Sequence, residues 1–164
     1  MSTARELPRD DINTLRRILR ECRVLAVVGL SAQWHRPSHF AAKYMLEHGY
    51  RVIPVNPQYP EVLGQKCYAS LREIPEKVDM VDVFRKAADV MPVAEGAIAI
   101  GARVLWQQLG VRNEEAAARA RAAGLESIVD RCVKIEHGRL FGGLNWVGVN
   151  TRVISAKRPR WLAY

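Results

Sequence analysis

The segment GLSAQWHRPS lies between the apolar run VLAVV and the helix-like HFAAKYMLEHG. It gathers Gly29, Ser31, Arg36, Pro37 and Ser38 at a strand-to-helix turn. Those residue types suit an anion. Glycine lets the chain turn sharply, so that the N–H groups after it approach a phosphate. Ser31 and Ser38 add hydroxyl donors, and Arg36 adds a guanidinium that grips phosphate oxygens. Pro37 fits the first turn of a helix, whose positive end then faces the ligand. The plainer alternative makes Ser38 an N-cap and Arg36 a solvated charge. The combination at one turn favours phosphate.

The same loop argues against a nicotinamide cofactor. Only Gly29 stands where a dinucleotide site carries three glycines. The second apolar run, RVIPV, ends in Asn56-Pro57 rather than in the acid that meets an adenine ribose. No nucleophile constellation emerges elsewhere. His35 and His39 are four apart, yet Pro37 separates them and no third ligand accompanies them, which weakens a metal reading. Gln107 and Gln108 cannot act as general acids or bases at neutral pH. Cys22, Cys67 and Cys132 form no CxxC pair, so buried free thiols are the plain reading of all three. The candidate ligand positions look made to bind rather than to catalyse.

These positions need elements to hold them. Five runs read as strands: Val24–Val28, Arg51–Val55, Val78–Phe84, Val104–Leu109 and Ser127–Asp130. Between them lie helical signals. Asp10 or Asp11 caps a first amphipathic helix bearing Ile12, Leu15, Ile18, Leu19 and Cys22. Phe40, Ala41, Tyr44 and Met45 line a second helix, which Gly49 closes. Ser70 and Glu73 have capping-box spacing. Asp89 starts a helix ending at Gly101, and Asn113 caps an alanine-rich one ending at Gly124. The alternation predicts an α/β, Rossmann-like, doubly wound parallel five-stranded sheet with helices on both faces, in strand order 3-2-1-4-5.

In such sheets ligands lie at the C-terminal strand ends. That rule selects Gly29 and Ser31 after the first strand, and Asn56 and Pro57 after the second. Phe84 and Arg85 follow from the third, Gln107, Gln108 and Gly110 from the fourth, and Asp130, Arg131 and Cys132 from the fifth.

The chain of 164 residues is long enough to bury a core, and its 49% apolar content opposes disorder. No apolar run approaches a membrane span, and MSTARELPRDDINTL lacks the apolar core of a signal peptide. A soluble cytoplasmic protein is the expectation. Net charge is +8, concentrated toward the C-terminus, where residues 134–164 carry six Lys or Arg against Glu136 alone.

Seven segments together resemble a known family: VLAVVGLS, RPS, RVIPVNP, LGQKCYASLREIP, VDMVDVFR, IAIGARVLWQQLG and DRCVKIEH. They are similar, in order, to the stand-alone CoA-binding proteins, and these to the CoA-binding N-terminal domain of the succinyl-CoA synthetase alpha subunit. The resemblance implies a domain over residues 1–137 that holds coenzyme A, followed by a basic extension over 138–164. Ser31 to Ser38 would receive the nucleotide phosphates, with Arg36 as the charged contact. Asn56 and Pro57 would lie beside the adenosine, Phe84 and Arg85 would wall the cleft, and Gln107, Gln108 and Gly110 would line the pantetheine side. Apart from the resemblance, Cys132 follows the fifth strand on the ligand edge next to Arg131, which makes it the thiol expected to meet the CoA sulfur, with Arg131 expected to lower its pKa. None of the four histidines matches the phosphorylated histidine of the synthetase, which belongs to a second domain.

Three functional readings follow. The first is a CoA or acyl-CoA binding protein acting as carrier, sensor or accessory module, with a homo-oligomer left open. The second is a small enzyme acting on a CoA thioester. The third, a nucleic-acid-binding module using the basic tail, is disfavoured because no reader helix or aromatic platform is evident.

Overall fold

The computed structural model describes residues 11–142. Five helices and a five-stranded parallel sheet account for most of them. Helix α1 (Ile12–Glu21) starts at Asp11, whose carboxylate accepts the Thr14 N–H at 2.8 Å. Its buried residues Leu15, Ile18 and Leu19 recur at helical spacing. Strand β1 (Val24–Val28) leads to α2 (Pro37–Glu47) and then β2 (Arg51–Val55). A hairpin of β3 (Glu61–Val62) and β4 (Gln65–Lys66) turns through Leu63 and Gly64, both at positive φ. Beyond it come β5 (Met80–Val83), α3 (Val90–Ala99), β6 (Val104–Gln107), α4 (Glu114–Ala122), β7 (Glu126–Ile128) and α5 (Val133–Phe141). The expected basic extension lies almost wholly outside the described residues, although α5 itself continues through Gly138 to Phe141.

The large sheet has the order β2-β1-β5-β6-β7, all parallel. In the numbering of the five expected strands this is 2-1-3-4-5, which corrects the expected 3-2-1-4-5. The reason lies in the connector after β2. Tyr68 bridges to Val55 on the outer edge of β2, with Tyr68 N–H on the Pro54 carbonyl and Asn56 N–H on the Tyr68 carbonyl. That edge is therefore taken where a third strand would have paired. The chain crosses instead to the far side of β1, where the Asp79 carboxylate accepts the Arg23 and Val24 N–H groups at 2.9 and 3.0 Å. The expected capping box is also absent. Ser70 makes no capping bond and only one 3-10 turn, Leu71–Glu73, forms there, with Glu73 accepting from Ala69 N–H.

Alternate strand residues divide between two apolar layers, as the two-residue period of a strand demands. Leu25, Val27, Val52, Met80 and Trp106 pack under α1, α2 and α5. Ala26, Val28, Ile53, Val55, Val81, Val83 and Leu105 pack under α3 and α4. The C-terminal residues of the central strands are level: Val28 pairs with Val55 and with Val83, and Val83 with Gln107. The loops that follow them thus rise from one line.

Candidate functional site

Strand β1 sends its chain to β2 on one side, whereas β5 lies on the other. The gap between β1 and β5 is therefore the switch point of the sheet, where open α/β folds place ligands. A cleft of about 820 Å³ opens there. Its volume falls within the range of small-molecule and cofactor sites.

Gly29 forms its floor with φ +86°, and its N–H donates to the Val55 carbonyl. A β-carbon at this position would sit 2.3 Å from the Phe84 carbonyl oxygen. Only glycine allows the β1 and β5 loops to approach so closely. Beyond it, the Ser31 N–H donates to Ser38 Oγ at 3.1 Å, and Ser31 Oγ accepts the Gln33 N–H. These bonds hold the loop against the start of α2. Arg36 occupies the N-cap position of that helix, with Pro37 in its first turn and no side-chain cap. Ser38 is consequently inside the helix rather than its cap. Arg36, Pro37 and Ser38 all line the cleft, so an uncapped helix N-terminus opens onto it. The Arg36 Nε donates to Gln33 Oε1 at 3.2 Å, which steadies the guanidinium over the loop.

Asn56 closes the β2 side. Its amide donates to the Leu30 carbonyl and its Oδ1 accepts the Gln58 N–H, tying the two loops together. Across the cleft, Phe84, Arg85, Lys86 and Asp89 follow β5. Cationic side chains outnumber acids in the lining, with Arg36, Arg85 and Lys86 facing Asp89 alone. The field favours an anion.

Beneath the far end lies Asp82, on the α1/α2/α5 side of β5 and only 1% exposed. The Gln108 amide donates to its Oδ1. Burial pushes the Asp82 carboxyl up to about 7, with the Gln108 bond pulling the other way. Cys132, at the N-cap of α5, lines the cleft beside Gln108. Burial raises its thiol pKa, against the lowering effect of the Ile135 and Lys134 N–H groups. The expectation that Arg131 activates this thiol is thus corrected: the Arg131 guanidinium is directed to Glu136 at 3.2 Å. The arrangement can grip an anion and hold a neutral group against Gln108. Asp82, behind Gln108 and only 1% exposed, is not part of the cleft lining.

The structure brings nine of the nominated residues together: Gly29, Ser31, Arg36, Ser38, Asn56, Phe84, Arg85, Gln108 and Cys132. Pro57, Gln107, Gly110 and Arg131 stand outside the lining. Gln107 is clamped to the backbone of Asn113 through both amide atoms, at 3.0 and 2.7 Å. Gly110 donates its N–H to Asp130. Arg131 faces a separate polar cavity with Arg112, Arg121 and Ser127. Sequence reasoning missed Gln33, Gln58, Tyr59, Lys86, Asp89, Leu109, Val111 and Ile135, all in the lining. Most lie within three residues of a nominated one, so a wider reading of each loop would have reached them. Asp82 gave only the alternation of VDMVDVF as a signal. Among the described residues no group of three His, Cys, Asp or Glu is placed to hold a metal, and no helix is long and apolar enough to cross a membrane.

Comparison with known proteins points the same way. Residues 23–138 match the family model of a CoA binding domain. The uncharacterized protein YneT of Bacillus subtilis is 42% identical over 123 residues, covering 75% of this chain and 91% of that protein. Acetate–CoA ligase [ADP-forming] I of Archaeoglobus fulgidus is 35% identical over 89 residues, covering 49% of this chain but only 13% of the ligase. Among solved structures, a hypothetical protein from Pyrococcus horikoshii superimposes with a TM-score of 0.80 at 43% identity, covering 87% of this chain and 100% of that one.

Proposed function

The chain belongs to the CoA-binding domain family, and from that premise we propose that the switch-point cleft binds coenzyme A or an acyl-CoA, the protein acting as a carrier, sensor or accessory module. One observation carries the reading: the uncapped start of α2, with Arg36 at its N-cap, opens into the cleft opposite Arg85 and Lys86. Coenzyme A carries a pyrophosphate and a separate ribose phosphate, so its phosphates can use cations on both walls. Its pyrophosphate suits the helix N-terminus and Arg36, and its ribose phosphate suits the β5 loop. The pantetheine arm then runs toward Gln108 and Cys132. Backbone N–H groups and a neutral amide suit that arm, which carries amides but no charge.

The test is to incubate the purified chain with a nucleotide panel, identify the retained ligand by mass spectrometry, and measure CoA and NAD by calorimetry. Retention of CoA with a dissociation constant below that for NAD supports the assignment. Tighter NAD binding under the same conditions reverses it.

A further inference from the structure

The two halves of the cleft differ in chemistry. Over β2, β1 and β5 the lining is polar and cationic, with Ser31, Arg36, Arg85 and Lys86. Over β6 and the start of α5 it changes to Leu109, Val111, Cys132 and Ile135 around the amide of Gln108. Adjacent strands are about 4.8 Å apart, so the apolar end lies roughly 10 Å from the β1 loop, within reach of an extended pantetheine arm. Resting on the CoA reading above, we propose that this end receives the acyl group of a CoA thioester, and that the group it takes is uncharged and apolar.

The charged residues flanking that end support the assignment, because each is directed elsewhere. Arg131 pairs with Glu136. Lys134 lies over the rings of Phe40 and Tyr44, 5.9 Å from each centroid. Asp130 accepts the Gly110 N–H. A terminal carboxylate, as in a dicarboxylic thioester, would therefore meet only the start of α5, whose Lys134 and Ile135 N–H groups already turn to the Cys132 thiol, and would lose its hydration. A thioester carbonyl fares differently. Gln108 spends one amide N–H on Asp82 and has a second. That second N–H is the donor a carbonyl oxygen needs. Leu109, 63% exposed on the rim, has apolar surface that an acyl chain would cover.

The experiment is calorimetry of the full chain with CoA, acetyl-CoA, butyryl-CoA, isovaleryl-CoA and succinyl-CoA. Affinity should rise about threefold to fourfold for each methylene buried, so butyryl-CoA, two methylenes longer than acetyl-CoA, binds roughly tenfold tighter than acetyl-CoA, with isovaleryl-CoA at least as tight. Succinyl-CoA should bind at least tenfold more weakly than butyryl-CoA. Ile135→Ala should shrink the isovaleryl preference, read as the ratio of the isovaleryl-CoA and CoA dissociation constants within the one variant. Equal dissociation constants across the series, or a preference for succinyl-CoA, overturn the proposal and leave CoA binding standing. Failure of every member to bind, CoA included, overturns the CoA reading and this proposal with it.

Discussion

The carbonyl oxygen of Phe84 stands 2.3 Å from where a β-carbon on Gly29 would be. Two loops separated by more than fifty residues meet at that point, one from each side of the switch. The closeness seats the serine-bearing loop against the β5 wall, and so makes a cleft of two halves.

Gly29→Ala should therefore cost more than its left-handed backbone alone. Gly64 also has positive φ, 71°, yet a β-carbon there meets nothing within 4 Å. Backbone strain at either site is worth about 1–3 kcal/mol, and at Gly29 a backbone clash adds to it. Urea denaturation should show Gly29→Ala losing at least about 1 kcal/mol more than Gly64→Ala. Equal losses would mean that the Phe84 contact yields freely.

Arg36→Ala should weaken CoA binding by about ten- to a hundredfold, the worth of a charge-assisted phosphate contact. Stability should hardly change, because Arg36 is exposed and its side chain bonds only Gln33 among the described residues. If it meets the pyrophosphate, dephospho-CoA should suffer as much as CoA. Unchanged dissociation constants for both ligands would remove Arg36 from the site.

Much of this site was legible because it is local. A glycine, a serine and an arginine within eight residues of one turn declare themselves in any order of strands. What was not legible depends on distant parts of the chain. The β5 strand sits beside β1 because Tyr68 occupies the edge of β2, and nothing in the run VDMVDVF records that. The adjacent glutamines show the limit at finer scale. Gln107 and Gln108 read alike, yet strand alternation sends one to the backbone of Asn113 and the other to Asp82. Asp82 itself was hidden because nothing in VDMVDVF shows that its carboxyl faces the apolar α1/α2/α5 layer, where the Gln108 amide, distant in sequence, meets it.

The burial of Asp82 predicts a stability that falls as pH rises. Its carboxyl lies at about 7 in the fold against 3.8 in the free side chain. Between those values the native state keeps a proton that the unfolded chain has released, so unfolding becomes easier with increasing pH. Asp82→Asn removes that dependence. The variant should gain about 4 kcal/mol over the parent at pH 7.5 and almost nothing at pH 3.5. A constant difference at both pH values would mean that the carboxyl titrates normally.

His137 predicts the opposite slope. Buried beside His48 and Arg23, it is pushed down to about 4 from 6.5, desolvation being the main cause. Between pH 4 and 6.5 the unfolded chain holds a proton that the native state lacks, so His137 adds stability as pH rises through that window. Its Nδ1 is bonded to the Tyr44 hydroxyl at 2.9 Å. His137→Gln, which retains a polar partner for Tyr44, should steepen the decline in stability from pH 4 to 6.5 by leaving Asp82 unopposed. Proton NMR placing the His137 titration near 6.5 would defeat the argument.

Cys132 offers a covalent report on where the CoA sulfur arrives. It lines the cleft, whereas Cys22 and Cys67 are buried in the core away from it. Attack of its thiolate on CoA disulfide would form a protein–CoA disulfide and release one CoA thiol. Burial raises the thiol pKa, so little thiolate exists at neutral pH and the reaction should be slower than for an exposed cysteine. Binding of the nucleotide offsets that slowness by holding the sulfurs together. CoA disulfide should then modify Cys132 at least about tenfold faster than pantethine, which shares the arm but lacks the nucleotide. Both rates should keep rising above pH 9, and Arg36→Ala should erase the advantage of CoA disulfide. Peptide mapping that puts the adduct on Cys22 or Cys67, or equal rates for the two disulfides, would show that the pantetheine arm does not run toward α5.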